Sequence, residues 1–251
     1  MSRPAPWGSA TLAQTIVELR VTARRGENLL AMVGIPAAVL LLFGSFGILA
    51  APSSGSRVDE LLPGTLALAI IAAGLVNLGI ATAYERSYGV LKRLGGSPLG
   101  RSGLVSAKLA AILLIEVVLV VLLVALALIV LGWRPGVGAS PVVFVVAFAL
   151  GTVAFAGLGL TLAGTLRADA TLALANALFV ASLVLGGVLV PIDRLPQPLA
   201  ALAAVLPAGA LTDAFAVALG GVPRDLARPL LVLAVWAVGA VVVAIRGFRW
   251  E

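Results

Sequence analysis

The residues able to do chemistry are few and unevenly placed. Only 11% of this 251-residue chain is charged, yet Glu85, Arg86, Lys92, Arg93 and Arg101 all fall within Tyr84–Arg101. Long apolar runs flank that island on both sides. A segment that cannot enter lipid, held between two that prefer it, forms a hydrophilic surface at a membrane face and is suited to docking. Two further ionisable residues, Lys108 and Glu116, lie inside an apolar run, and Asn77 and Asn176 lie inside two others. An ionisable group at such a position is costly and normally faces a bundle interior or a wet cavity. Glu116 follows Lys108 by eight residues, which places it about 12 Å deeper along a helix. It suits a proton relay or a contact for a cationic substrate, and equally a hydrogen-bonded carboxylate that locks helix packing. The two asparagines suit interhelical hydrogen bonds better than ligand contacts.

What is absent narrows the chemistry. There is no cysteine and no histidine, so thiolate chemistry, disulfides, Cys-based metal sites and imidazole acid–base catalysis are excluded. The two lysines, Lys92 and Lys108, are followed by Arg93 and Leu109, so the chain has no P-loop with which to cradle ATP. No catalytic residue, cofactor site or metal site is predicted. The net charge of +6 reads as basic loops on one side of a membrane rather than as a nucleic-acid surface.

The elements that must position these residues are transmembrane helices. The chain is 61% hydrophobic, against about 45–50% in soluble domains, and its apolar runs reach the roughly 20 residues a helix needs to cross a bilayer. Alternating segments of the kind a transmembrane barrel requires are missing. The predicted fold is all-α and polytopic. Six spans are expected, at about 29–49, 62–83, 104–131, 142–166, 171–190 and 230–245. Between the fifth and sixth, Pro191, Pro196, Pro198, Pro207 and Pro223 punctuate a half-apolar stretch, 191–228. Its apolar pieces, 199–206 and 208–219, are too short to cross and are expected to re-enter or lie at the interface. The scattered glycines, among them Gly157, Gly159, Gly186 and Gly187, read as helix-packing positions.

Residues 1–26 contain no apolar core of a cleavable signal peptide. Instead, 8–27 reads as an interfacial amphipathic helix, with Leu12, Ile16, Leu19 and Ala23 on one face and Gln14, Glu18 and Arg25 opposite. With a cytoplasmic N-terminus, twelve of the 17 basic residues, including both lysines, face the cytoplasm, and Arg57, Arg134, Arg194, Arg224 and Arg228 face outward. That bias obeys the positive-inside rule and places both termini and the island at 84–103 in the cytoplasm. Gly95-Gly96 and Pro98 are expected to break the second span's helix there. The basic residues could then pair with acidic groups on a partner, or act only as a topology signal against anionic lipid.

The island resembles the cytoplasmic loop of permease subunits of the type-2 ABC transporters, the drug- and lipid-exporting class. That loop typically reads E-R-E-x-G-T-L-K-x-L, followed by T/S-P-L and a basic residue. Glu85-Arg86, Gly89, Leu91-Lys92-Arg93-Leu94, Ser97-Pro98-Leu99 and Arg101 match it. Ser87 stands in place of the second acid and Val90 in place of the threonine. The leader is similar to the family's elbow helix, 61–64 to the opening of the second span, and 190–196 to the segment that precedes short re-entrant helices. The resemblance spans nearly the whole chain. It implies a single transmembrane domain over 1–251, paired with a second permease half and docked on a separate ATP-binding subunit that carries ATP and Mg. It implies that Glu85, Arg86, Gly89, Lys92, Arg93, Ser97, Pro98 and Arg101 contact that subunit, with Arg167 and Asp169 as a secondary contact. Pro191, Asp193 and Pro196 mark the re-entrant segment. The implied task is export of an apolar or amphipathic substrate, a drug, antibiotic or lipid, across a bacterial cytoplasmic membrane. The Ala/Val/Gly/Arg-rich, Lys-poor composition is what a high-GC bacterial genome produces.

Two other functions are open to the sequence. An ion-coupled secondary carrier would use Glu116, although such carriers often carry inverted repeats and more intramembrane charge. A membrane-embedded assembly factor would transport nothing.

Overall fold

The structure, a computed structural model, describes residues 6–24, 26–46, 56–97, 99–187, 194–221 and 225–248. All the regular elements among them are helical. In chain order they are α1 (Trp7–Arg24), α2 (Gly26–Phe46), α3 (Arg57–Ile71), a π-helical segment (Ala72–Leu78), α4 (Gly79–Ser87), α5 (Val90–Gly95), α6 (Gly100–Ile129), α7 (Pro141–Thr165), α8 (Ala168–Leu185), α9 (Gln197–Ala203), α10 (Pro207–Ala218) and α11 (Ala227–Gly247). Five helical stretches are long and apolar enough to cross a membrane: the continuous 57–87, then α6, α7, α8 and α11. The chain is a multi-pass membrane protein. The predicted first span corresponds to α2, whose apolar stretch within the described residues is the shorter Met32–Ser45. Pro36 lies inside α2 without ending it.

The second span is longer than its apolar run. Ser56 and Asp59 form a reciprocal capping box that starts α3 five residues before the predicted boundary, satisfying backbone donors that the first turn leaves without partners. The other oxygen of Asp59 accepts from Trp133 Nε1 at 2.8 Å, which ties this end of α3 to the loop after α6. The same loop is latched to α10: Gly136 N donates to the Leu219 carbonyl at 2.9 Å and Ser140 N to the Ala218 carbonyl at 2.8 Å.

α7 is the central helix, touching α3 through α4, α6, α10 and α11. Its small residues make this possible. A Cβ on Gly159 would lie 2.5 Å from the Gly74 carbonyl oxygen, and one on Gly74 would lie 2.8 Å from the Ala156 backbone nitrogen. Small residues that admit a neighbouring backbone are how helices associate where no hydrophobic drive distinguishes helix from lipid. The π-helical segment sits at this closest approach. α8, in contrast, is the least buried of the long helices.

α9 and α10 meet at an 81° bend. Pro207 occupies the first turn of α10, where its missing N–H costs nothing and its ring stops α9 from continuing. Pro196 is the exposed N-cap of α9, whereas Pro191 and Asp193 lie outside the described residues.

Gly159→Ala is expected to destabilise the bundle by about 1–3 kcal/mol, since the added methyl meets backbone that cannot give way. Gly34→Ala, inside α2 with nothing within 4 Å of its Cβ, is the control, expected to be neutral or up to about 1 kcal/mol stabilising. Thermal unfolding of the detergent-solubilised chain compares them.

Candidate functional site: the charged end of the bundle

The break that creates a separate cytoplasm-proximal element in the sequence reading is not at Gly95-Gly96. It is at Tyr88–Gly89. Gly89 has φ +72°, a left-handed conformation open to glycine without the Cβ penalty, and it turns the chain from α4 into the six-residue α5. Gly96 merely caps α5 at φ −80°. Pro98 lies outside the described residues. α5 is held by its apolar side: buried Leu91 packs with Leu99, Leu104 and Phe248, and Leu94 and Ala10 lie against that cluster. Its opposite side exposes Val90, Lys92 and Arg93, with Tyr88 and Arg101 exposed on either side. Ser97 instead turns inward, its hydroxyl donating to the Leu94 carbonyl at 2.6 Å.

Glu85 and Arg86, read in the sequence as part of the docking surface, point back into the bundle. Arg86 donates to the carbonyl of Leu166, one of the C-terminal carbonyls of α7 that lack a helical partner. That bond brings exposed Arg167, the N-cap of α8, and exposed Asp169 in its first turn beside the island, so the two predicted contact regions share one end of the molecule. Glu85 meets Lys108. The lysine, 1% exposed, places Nζ 2.7 Å from Glu85 Oε2 and 2.9 Å from Glu18 Oε2. The second Glu18 oxygen accepts from Gln14 Nε2 at 2.8 Å. Asn77, expected to bond between helices, borders a cavity of about 30 Å³ beside this ion triad, with Glu18, Glu85 and Lys108 in its walls.

The triad sets the orientation of α1 against the bundle. Gln14, Thr15 and Glu18 face inward, and Thr15 Oγ1 donates to the Ala107 carbonyl at 3.5 Å as well as to Thr11. Leu12, Ile16, Val17 and Val21 are left exposed. Lys108 was open to discovery from sequence, because a lone charge within an apolar run must have a buried partner. Which carboxylates supply it depends on residues 90 and 23 positions away.

Glu116 is fully buried and accepts a hydrogen bond from Thr152 Oγ1, joining α6 to α7. Its other oxygen has no partner among the described residues. Asn176 makes no interhelical bond among the described residues. It is exposed on α8 and its amide donates to the Leu172 carbonyl of its own helix at 2.9 Å. Away from the charged end, an apolar cavity of about 160 Å³ lies among Leu75, Phe155, Leu178, Ser182, Pro207 and Trp236.

Residues 10–220 match the family model described as ABC-2 type transporter. The chain belongs to that family. It is a permease-type membrane component of an ABC transporter, and the matched stretch takes in the ion triad, α5 and the α9–α10 bend. A search of curated proteins finds no match.

Thr152→Val is expected to cost about 1–3 kcal/mol by leaving the buried Glu116 carboxyl without its donor. Glu116→Gln, whose amide oxygen can accept the same bond, is expected to cost less. Thermal unfolding in detergent reads both.

Proposed function

We propose that this permease exports an apolar or amphipathic compound, a drug, antibiotic or lipid, driven by a separate ATP-binding subunit that carries ATP and Mg and docks on α5. The carrying observation is the exposed basic surface around α5. Its apolar side is anchored by Leu91, and neither Arg93 nor Arg101 meets a carboxylate among the described residues. Arg101 stands in the first turn of α6, where a positive charge opposes the helix dipole. A cation kept at such a cost supports an external acidic partner. Basic residues here position that partner more than they add affinity.

The 160 Å³ apolar cavity supports an apolar ligand group, since voids of this size lined by hydrocarbon accept benzene-sized molecules. Exposed Asn176 on the lightly buried α8 supports a second permease half packed on that face, because an amide facing lipid alone is unfavourable. The basic-residue bias supports both termini inside, and the Ala/Val/Gly/Arg-rich, Lys-poor composition supports a bacterial cytoplasmic membrane.

The test is reconstitution with the cognate ATP-binding subunit in vesicles. Transport is expected to require a catalytically competent ATPase, and transport sustained by a dead one would sink the proposal. Arg93→Glu with Arg101→Glu is expected to lower transport at least ~10-fold while the chain still inserts. Unchanged transport by that double variant would reduce the island to a topology signal.

A further inference from the structure

We infer that Lys108 is the positioning residue of a three-way ionic joint that makes α1, α4 and α6 follow α5 when its docked partner moves it. This rests on the reading of α5 as the ATPase contact and deepens it. Glu85 lies one helical turn before the Gly89 hinge, so it is attached to the stem of α5 and reports where that stem is. Lys108 holds Glu85 at 2.7 Å and, through the same nitrogen, Glu18 of α1 at 2.9 Å. A displacement of α5 through α4 therefore pulls on a charge shared with two other helices.

Stability alone is a poor reason for this arrangement. Buried ion pairs are commonly no more stable than apolar residues of similar volume, and their best-attested role is to fix a register or serve a switch. The remaining geometry suits transmission. Glu18 is braced on its far side by Gln14, so force applied to it reaches the backbone of α1 rather than being lost in a side-chain rotation. The 30 Å³ cavity leaves room beside the ammonium, and lysine's flexible four-carbon stem lets it keep both carboxylates through small tilts of the helices. The three side chains thus hold α1, α4 and α6 together while that end of the bundle moves.

The experiment exploits a chain without cysteine. Spin labels at Leu12→Cys on α1 and Ser87→Cys at the end of α4, both exposed, report their separation in the complex reconstituted with its ATP-binding subunit, in a labelled pair that retains native transport. With the native triad the separation is expected to stay narrowly distributed with and without ATP. In the neutral variant Glu18→Gln/Lys108→Met/Glu85→Gln, which leaves no buried charge unpaired, the distribution is expected to broaden with ATP and transport to fall at least ~10-fold. The permuted variant Lys108→Glu/Glu85→Lys keeps the same three charges and is expected to recover much of that loss. Native transport by the neutral variant overturns the joint. So does lost transport with an unchanged distance distribution. Absence of ATP-dependent transport by the native chain would instead overturn the docking reading on which the joint rests.

Discussion

An ammonium group with almost no exposure, inside an apolar helix, constrains everything around it. Removing a charge from water is expensive unless opposite charge and hydrogen bonds replace the lost hydration. Lys108 therefore requires carboxylates to come to it, and they come from α1 and α4. That requirement turns Gln14, Thr15 and Glu18 of α1 inward, leaves Leu12, Ile16, Val17 and Val21 outward, and ties the end of the second span to α6 through Glu85.

The rest of the bundle is held by shape. Where lipid is as apolar as a leucine side chain, burying hydrocarbon does little to choose between neighbours, and backbone approach does. Gly74, Gly159 and Ala156 let the second span and α7 meet nearly backbone to backbone, and the local π-helical geometry lies at that contact. At the far end, hydrogen bonds do the specifying: Trp133 to Asp59, and the backbone bonds from Gly136 and Ser140 to the carbonyls that end α10. The two ends thus use different physics. One is clamped by backbone and side-chain hydrogen bonds, and the other is joined by buried charges.

Much of the fold was legible. Spans four and six were placed within a few residues because apolar length translates directly into helix length. The bend at Pro207 was legible because proline stops a helix for a local reason. Departures had both local and distant causes. α3 starts early because Ser56 and Asp59 cap it reciprocally. The second span ends at Gly89 rather than at Gly95-Gly96, because a left-handed turn needs only one glycine and Leu91 then has a buried pocket to fill. Asn176 bonds within its own helix, since it is exposed on α8 among the described residues.

By itself the sequence determined that this is an all-helical membrane protein with a charged break between two spans, with no means of binding ATP in a P-loop and no thiol or imidazole chemistry. Those conclusions depend on composition, run length and residue types, which are properties of the chain alone. Only the tertiary structure decided which charges of the island are spent inside. Glu85 and Arg86 are turned to Lys108 and to the end of α7, while Arg93 and Arg101 remain outward. Adjacent residues in sequence were sorted to opposite roles because helix rotation and the position of one buried ammonium, neither encoded in local spacing, set which side chains face the bundle.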